Sequence, residues 1–273
     1  MNRGSPLRIV DTHAHMVDPA FDADRAEVLE RARKSGVIAV VAVGETLADA
    51  ERNLRLAEDF PILKPAAGLY PTYLDRLEAE HMMAWIRQHH ARLVAIGEVG
   101  LDRWAVKEEK ERETQVEIFR MFVRLAGELS LPLNVHSRSA GREAVRVLLG
   151  EGAQKVQLHA FDGKAGSALP GVEAGYFFSI PPSVMRSRQK QKLVRRLPLS
   201  CLLLETDSPV LGASPGERNE PANACAVLDA VSEIKGLSRE EVAEALLENT
   251  CRLFGSRILV RFSSGSGWNR LVK

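Results

Sequence analysis

Residues 7–15 of the chain have the sequence LRIVDTHAH, in which a short apolar run leads directly into Asp11, His13 and His15. Short apolar, β-branched runs of this kind predict strands that are buried on both faces. Seven more such runs follow along the chain, and helical patterns separate them. The eight predicted strands are Leu7–Val10, Val37–Val43, Leu63–Ala67, Leu93–Ile96, Leu133–His136, Lys155–Leu158, Tyr176–Ser179 and Leu202–Glu205.

Amphipathic helical patterns lie between the predicted strands and also follow the last one. Eight strand–helix units predict a single α/β domain, a (β/α)8 TIM barrel, rather than an open doubly wound sheet. Ser238 and Glu241 have the spacing of a capping box at the start of the final helix. The predicted helices are Arg25–Lys34, Leu47–Asp59, Glu80–His90, Glu108–Leu129, Arg142–Leu149, Ala222–Ile234 and Arg239–Phe254.

The barrel domain is expected to span residues 7–255, after an N-terminal tail of residues 1–6. Residues 256–273 mix serine, glycine and basic residues without a clear period, so we expect a loosely held C-terminal tail. Neither a linker nor a repeat of fixed period is visible in the sequence.

The composition is that of an ordinary globular protein of 273 residues, with 45% hydrophobic residues and a net charge of +1. This balance excludes a bulk electrostatic attraction to nucleic acid, so any such binding requires a local patch. Three widely spaced cysteines favour a reducing compartment. The longest apolar runs, such as Val37–Val43, are too short to span a bilayer. We therefore expect an intracellular protein, nuclear or cytoplasmic, with no membrane association and no obligate protein partner.

Polar residues of metal-ligand type stand where the predicted strands end. His13 and His15 occupy positions i and i+2 of an extended segment, so both imidazoles point to the same side. Glu98 follows an apolar strand between two glycines, where a buried carboxylate needs a cation or a partner. The other strand-end residues of this type are His136, His159 and Asp207.

Each of these residues taken alone could be a solvated loop residue. Their joint placement at the carboxyl ends of several strands favours an active site, because barrel enzymes build their sites on that face. The other three histidines, His81, His89 and His90, belong to one predicted helix and are expected to be solvated. Four imidazoles with two carboxylates suit zinc, manganese or related ions better than calcium, and six groups are enough for two ions.

The ordered set of motifs resembles the TatD family of metal-dependent deoxyribonucleases, a branch of the amidohydrolase-like barrels. The resemblance covers the chain from about Val10 to Phe254. It is carried by Asp11–His15 (DTHAH), Ile96–Asp102 (IGEVGLD), Val135–Arg138 (VHSR), His159–Phe161 (HAF) and Leu204–Pro209 (LETDSP).

The resemblance implies a role for each ligand-type residue. His13, His15 and Asp207 would hold one divalent ion, His136 and His159 would hold a second, and Glu98 would bridge the two. The ions would be Zn, Mn or Mg. A metal-activated water would then cleave a DNA phosphodiester bond, in exonuclease fashion or at damaged sites. Asp207 and Glu98 are the expected catalytic residues, with Asp207 as the general base.

Two aromatic residues are expected to contact substrate. The family usually has Gly-x-His-Pro after the third strand, whereas this chain has Tyr70 in place of the histidine. A phenol still donates a hydrogen bond, so Tyr70 is expected to alter rate or preference. Trp104 follows the fourth strand and could stack on a base or a sugar, or pack as an apolar lid on the barrel.

Three arginines are candidates to grip phosphate: Arg138, Arg142 and Arg218. Surface ion pairing is the alternative for each of them. The strongly basic segment Met185–Arg196 could follow a nucleic-acid backbone, or it could be a solvated helix face.

Two other functions compete with DNA cleavage. The first is a hydrolase that uses the same metals on a small-molecule ester, lactone or amide. The second is a non-catalytic scaffold, which is disfavoured because all six ligand-type residues are present. A dinucleotide-binding oxidoreductase has no support, since no Gly-x-Gly-x-x-Gly follows the first strand.

Overall fold

The computed structural model describes residues 7–259 and has eight parallel strands in the order β1 to β8. Each strand pairs with the next one along the chain, and helices lie between them. This arrangement confirms the predicted (β/α) barrel. The strands are β1 Ile9–Ala14, β2 Val37–Ala42, β3 Leu63–Ala67, β4 Ala95–Gly100, β5 Leu133–His136, β6 Val156–Leu158, β7 Phe177–Ile180 and β8 Leu202–Leu204.

The helices pack around the outside of the barrel. Those predicted at Arg25–Lys34, Leu47–Asp59 and Arg239–Phe254 have the expected bounds, and the Ser238–Glu241 capping box is present. Helix α6 was missed, and α7 forms within the predicted basic segment. The helices are α1 Arg25–Lys34, α2 Leu47–Asp59, α3 Arg76–His89, α4 Glu109–Leu129, α5 Gly141–Gly150, α6 Ala165–Glu173, α7 Arg188–Arg196, α8 Ala224–Lys235 and α9 Arg239–Phe254.

Strands β1 and β4 extend further than predicted. The sequence places their ends at Val10 and Ile96, before the polar residues, whereas the strands continue to Ala14 and Gly100. Polar residues stay in these strands because hydrogen bonds across the barrel satisfy them. Thr12, for example, is fully buried and donates to the Leu204 carbonyl at 2.8 Å.

The barrel closes where β1 meets the end of β8. Ala14 and Ser208 form a parallel bridge. The Asp207 amide donates to the His13 carbonyl at 2.9 Å, and the His15 amide donates to the Ser208 carbonyl at 2.8 Å. This seam therefore brings residues from the two ends of the domain into direct contact.

Two apolar cores lie on the two sides of the barrel sheet. The larger core lies between the strands and the helices, and the smaller core fills the barrel interior. Leu253, Phe254 and Ile258 belong to the inner core, so the end of α9 closes the amino-terminal mouth of the barrel. Ile258 is fully buried in a 3-10 turn that lies within the segment expected to be a tail. Residues 1–6 and 260–273 of the two predicted tails lie outside the described residues.

A polar layer separates the inner apolar core from the carboxyl-terminal face. Asn134 and Gln157 both donate to the Thr12 carbonyl, at 3.0 and 3.2 Å. Gln157 also donates to Ser179, whose hydroxyl donates to Glu205. These buried amides and hydroxyls connect four strands, and the ligand-type residues stand directly on this layer.

Within residues 7–259, none of the helices combines the length and apolarity needed to cross a lipid bilayer.

Gly100 lets β4 and β5 approach closely at the same face. Its φ is +146°, and a Cβ atom at this position would lie 2.1 Å from the His136 carbonyl oxygen. Any side chain here would therefore displace the backbone of β5 at the point where it carries His136.

We expect Gly100→Ala to lower the free energy of unfolding by on the order of 3 kcal/mol, through overpacking and backbone strain. Gly127→Ala is the matched control, because a Cβ there meets nothing within 4 Å. As Gly127 lies in helix α4, its replacement should stabilise the protein by less than about 1 kcal/mol. Urea denaturation of both variants measures the difference, and equal stabilities would contradict the packing argument.

Candidate metal centre

The structure brings all six ligand-type residues together at the carboxyl-terminal face of the barrel. His13 lies in β1, and His15 follows it. Glu98 lies in β4, and His136 is the last residue of β5. His159 directly follows β6, and Asp207 comes three residues after the end of β8. All six are buried apart from His15, whose side chain is 14% exposed.

One half of the cluster consists of two imidazoles and two carboxylates. The Nε2 atoms of His13 and His15 are 3.3 Å apart. They lie 3.4 and 3.5 Å from Asp207 Oδ1, and 3.7 and 3.3 Å from Glu98 Oε2. Four possible donor atoms therefore surround one small space.

The other half uses the second oxygen of Glu98. Glu98 Oε1 lies 2.7 Å from His136 Nδ1 and 2.9 Å from His159 Nε2. These two nitrogens are 3.2 Å apart. Because each carboxylate oxygen faces a different pair of histidines, Glu98 stands between two potential cation positions.

The spacing of the donor atoms fits a transition-metal site. Tetrahedral Zn–N bonds of about 2.05 Å place the ligand atoms roughly 3.3 Å apart. Glu98 Oε2 is buried and has no hydrogen-bond partner among residues 7–259. An orphaned, buried carboxylate oxygen beside two imidazole nitrogens is the environment that a cation satisfies. The cluster could therefore hold metal.

Electrostatics of the cluster favours ionised carboxylates. Burial would raise the pKa of Glu98, but the surrounding imidazoles hold it well below its usual value. Burial also opposes ionisation of Asp207, yet His13 and His15 hold its pKa below the usual range. Burial and the neighbouring His13 lower the pKa of His159, which keeps that imidazole neutral.

Burial opposes protonation of His13, His15 and His136, but the carboxylates around them raise the pKa of all three imidazoles. Because neutral imidazoles ligate metals, a cation that binds here must displace protons from these rings.

Three polar residues face the histidines from behind the cluster, and none of them was assigned a role from the sequence. Asn134 Oδ1 lies 2.8 Å from His13 Nδ1. Asp102 Oδ2 lies 3.2 Å from His136 Nε2, and Glu205 Oε2 lies 3.8 Å from His159 Nδ1. In each case the acceptor faces the ring nitrogen that points away from Glu98. The contacts of Asn134 and Asp102 are within hydrogen-bond distance, so they direct the other nitrogen of His13 and His136 into the cluster, as partners behind metal ligands commonly do. Glu205 lies beyond hydrogen-bond distance, and His159 Nδ1 has no hydrogen-bond partner among residues 7–259.

A family model described as TatD related DNase matches residues 10–255 of the chain. The chain belongs to this family. The match spans the whole barrel and every ligand-type residue, which confirms the resemblance in the motifs.

Relatives and solved structures agree with the assignment. The chain is 44% identical to human deoxyribonuclease TATDN3, covering 92% of this chain and 96% of that protein. It is 34% identical to the metal-dependent hydrolase YabD of Bacillus subtilis, covering 90% of this chain and 98% of that one. The crystal structure of the TatD homologue YjjV from Escherichia coli has a TM-score of 0.85 and 29% identity, covering 92% of this chain and 99% of that chain.

The departure from the TatD family pattern, Tyr70, lies against a ligand-type histidine. The Tyr70 and His136 rings meet edge to face with centroids 5.0 Å apart. Burial, together with the carboxylates of Glu98 and Asp102, raises the pKa of Tyr70. Its hydroxyl therefore remains a proton donor at neutral pH.

Glu45, which the sequence did not single out, is half-buried beside the same cluster, and burial raises its pKa.

An exposed aromatic platform stands at the rim of the site. Trp104 is 57% exposed, and the Arg138 guanidinium lies over its ring, 3.6 Å from the ring centroid. The Trp104 amide donates to Asp102 Oδ1 at 2.9 Å, and the Arg103 amide donates to the Arg138 carbonyl at the same distance. The platform (Trp104 and Arg138) is therefore tied to Asp102, which contacts His136.

The other two arginines differ in their surroundings. Arg142 is exposed at the start of α5 and lines a cavity of about 540 Å³ with Ser139 and Asp162. Arg218 instead forms a two-point ion pair with Asp24 at 2.6 and 2.7 Å. This pairing favours a structural role for Arg218 over the predicted contact with phosphate, because its guanidinium is already engaged.

We expect Asn134→Ala to weaken Zn²⁺ binding by about 10- to 100-fold, because His13 loses the acceptor that orients its ring. Gln157→Ala is the matched control. Gln157 occupies the same polar layer and bonds to the same Thr12 carbonyl, but no ligand-type histidine. Competition with a chromogenic chelator measures the affinity. Equal losses in the two variants would show that the layer acts only through general stability.

Proposed function

We propose that this chain is a two-metal phosphodiesterase that cleaves DNA. The observation that carries the proposal is Glu98, which presents one carboxylate oxygen to each of two histidine pairs. A carboxylate that offers one oxygen to each of two cations would fix the spacing between them, as two-metal hydrolysis requires. The names of the TatD relatives, deoxyribonuclease and metal-dependent hydrolase, support the reaction and the substrate.

The proposed ligands divide into two sets. His13, His15 and Asp207 would hold one ion, His136 and His159 the other, and Glu98 both. Four imidazoles favour Zn over Mg or Mn, because imidazole suits Zn whereas Mg and Mn prefer oxygen ligands. Divalent cations bound here would polarise a phosphoryl oxygen and lower the pKa of an attacking water.

Asp207 is the proposed general base. Its Oδ1 atom faces both His13 and His15, and no donor among the described residues is hydrogen-bonded to Oδ2. The lowered pKa of Asp207 keeps the carboxylate ionised at neutral pH, so Oδ2 can accept a proton from water. Its backbone amide donates a hydrogen bond to the His13 carbonyl, which holds the residue in place.

The rim of the site supplies the proposed substrate contacts. The platform offers an aromatic face for an unpaired base and a guanidinium for a phosphate oxygen. Tyr70 offers a hydroxyl beside His136, and Arg142 a second guanidinium at the start of α5. These groups match a nucleotide, which combines a stacking ring with a negative charge.

We expect Asp207→Asn to lower kcat for DNA cleavage by on the order of 1,000-fold while the fold is retained. Asp59→Asn is the control, because Asp59 is exposed at the far end of α2. Cleavage of labelled single- and double-stranded DNA is measured with Zn, Mn or Mg added back after chelation. Metal analysis of the loaded protein should give about two ions per chain.

Activity that survives both chelation and a His13→Ala/His15→Ala double variant would refute the metal mechanism. Folded wild-type protein that cleaves no DNA with any metal would refute the substrate. The same metal centre should then be tested on small-molecule esters, lactones and amides.

We expect substitutions of Trp104 and Tyr70 to change different kinetic constants. Trp104→Ala should raise KM for single-stranded DNA about tenfold, since stacking of one base is lost. Tyr70→Phe keeps the ring against His136 and should instead lower kcat roughly tenfold, because a hydrogen bond to a charged group disappears. Trp104→Phe, which retains an aromatic face, is the control. The assignment fails if the two variants change the same constant.

A further inference from the structure

Helix α7 carries a stripe of cations along one face. Arg188, Lys192, Arg195 and Arg196 are spaced four, seven and eight residues from the first, so their side chains share one side of the helix. All four are exposed, whereas Leu193 and Val194 pack inward. We call these four exposed residues the cationic stripe.

The positive charge of the stripe is not neutralised by neighbouring carboxylates. Residues 174–204 contain six lysines and arginines and no aspartate or glutamate. Within residues 7–259, no carboxylate lies within 4.0 Å of any of the four cations. Most exposed arginines on the other helices are paired: Arg33 with Glu30, Arg87 with Glu128 and Arg124 with Glu151, for example. Since the net charge of the chain is only +1, the stripe is a local concentration of unpaired charge.

The first turn of α7 is hydrogen-bonded to the loop that directly follows His159. Lys190 Nζ donates to the Ala160 carbonyl at 2.9 Å, and Ala160 directly follows His159. Gln189 donates to the Gly163 carbonyl at 2.6 Å, in the same loop after β6. Arg186, just before the helix, donates to the Gly212 carbonyl in the loop after β8. The stripe thus begins at the catalytic face and runs down the side of the barrel.

We propose that the cationic stripe binds the phosphate backbone of the nucleic-acid strand that extends away from the scissile bond. This inference rests on the proposed function, since it assigns the stripe to the same substrate. The helix rises 1.5 Å per residue, so Arg188 and Arg195 are about 10 Å apart along its axis. Phosphates that are a few angstroms apart along a strand can therefore meet several cations in turn. The stripe would contact phosphates and not base edges. It would therefore lengthen the contact with the strand without adding sequence preference.

The test compares strand binding by two double variants that lose the same charge. Arg188→Gln/Lys192→Gln removes the two stripe residues nearest the catalytic face. Lys34→Gln/Arg55→Gln removes two cations on other helices, which are 70% and 67% exposed. Each pair is placed in the Asp207→Asn background so that the strand stays intact. Fluorescence anisotropy with a labelled 20-nucleotide strand and a trinucleotide, at several salt concentrations, gives Kd and its salt dependence.

We expect the stripe variant to bind the 20-nucleotide strand about tenfold more weakly, with a salt slope smaller by roughly 1.4, corresponding to two lost phosphate contacts. The trinucleotide carries fewer phosphates and therefore makes fewer contacts with the stripe, so it should lose much less affinity. Equal losses in the stripe and control variants would overturn the inference, because net charge alone would then explain them. Unchanged affinity of the stripe variant would overturn it as well.

The outcome also separates this inference from the proposed function. If the wild-type protein cleaves no DNA but its strand binding depends on the stripe, the proposed nuclease activity is refuted and the binding surface is retained. If the protein cleaves DNA but its strand binding does not depend on the stripe, the nuclease activity is retained and the binding surface is refuted.

Discussion

Closure of the barrel between β1 and the end of β8 is the constraint on which the site depends. Two backbone hydrogen bonds, from Asp207 to His13 and from His15 to Ser208, join segments almost 200 residues apart in sequence. The same bonds place the Asp207 carboxylate against both imidazoles of the first motif. Fold and chemistry therefore share one seam, and a barrel that failed to close there would also lack a complete cluster.

The buried polar layer beneath the cluster explains how such a charged site is tolerated. Buried carboxylates and imidazoles are costly unless each polar atom has a partner. Asn134 and Gln157 satisfy the carbonyl of Thr12 and, with Ser179, leave few orphaned groups below the ligands. Among residues 7–259, the buried atoms here that lack a hydrogen-bond partner are Gln157 Oε1 in the layer and His159 Nδ1 and Glu98 Oε2 in the cluster. Of these, Glu98 Oε2 faces the space where a cation would sit. The pattern of satisfied and unsatisfied atoms thus points to metal at this position.

Much of the fold and the ligand set could be predicted because both have a periodic or positional signature. Buried parallel strands appear as apolar runs, and ligand-type residues stand at their ends. Asn134 and Glu205 lack such a signature, since a single polar residue in or after a strand has no informative spacing. Helix α6 escaped detection because Gly166, Pro170 and Gly171 weaken its helical pattern. The pairing of Arg218 with Asp24, 194 residues away, depends entirely on the tertiary fold.

Asp102 acts as a mechanical link between the rim and the centre. One of its oxygens accepts the amides of Trp104 and Ala105, and the other faces His136. The order of the loop that carries the platform and the orientation of a ligand-type imidazole thus depend on one carboxylate. By thermodynamic reciprocity, the free energy by which an ordered loop favours this orientation of His136 equals the free energy by which that orientation favours the ordered loop. A molecule bound at the rim would in this way influence the orientation of His136 without contacting it.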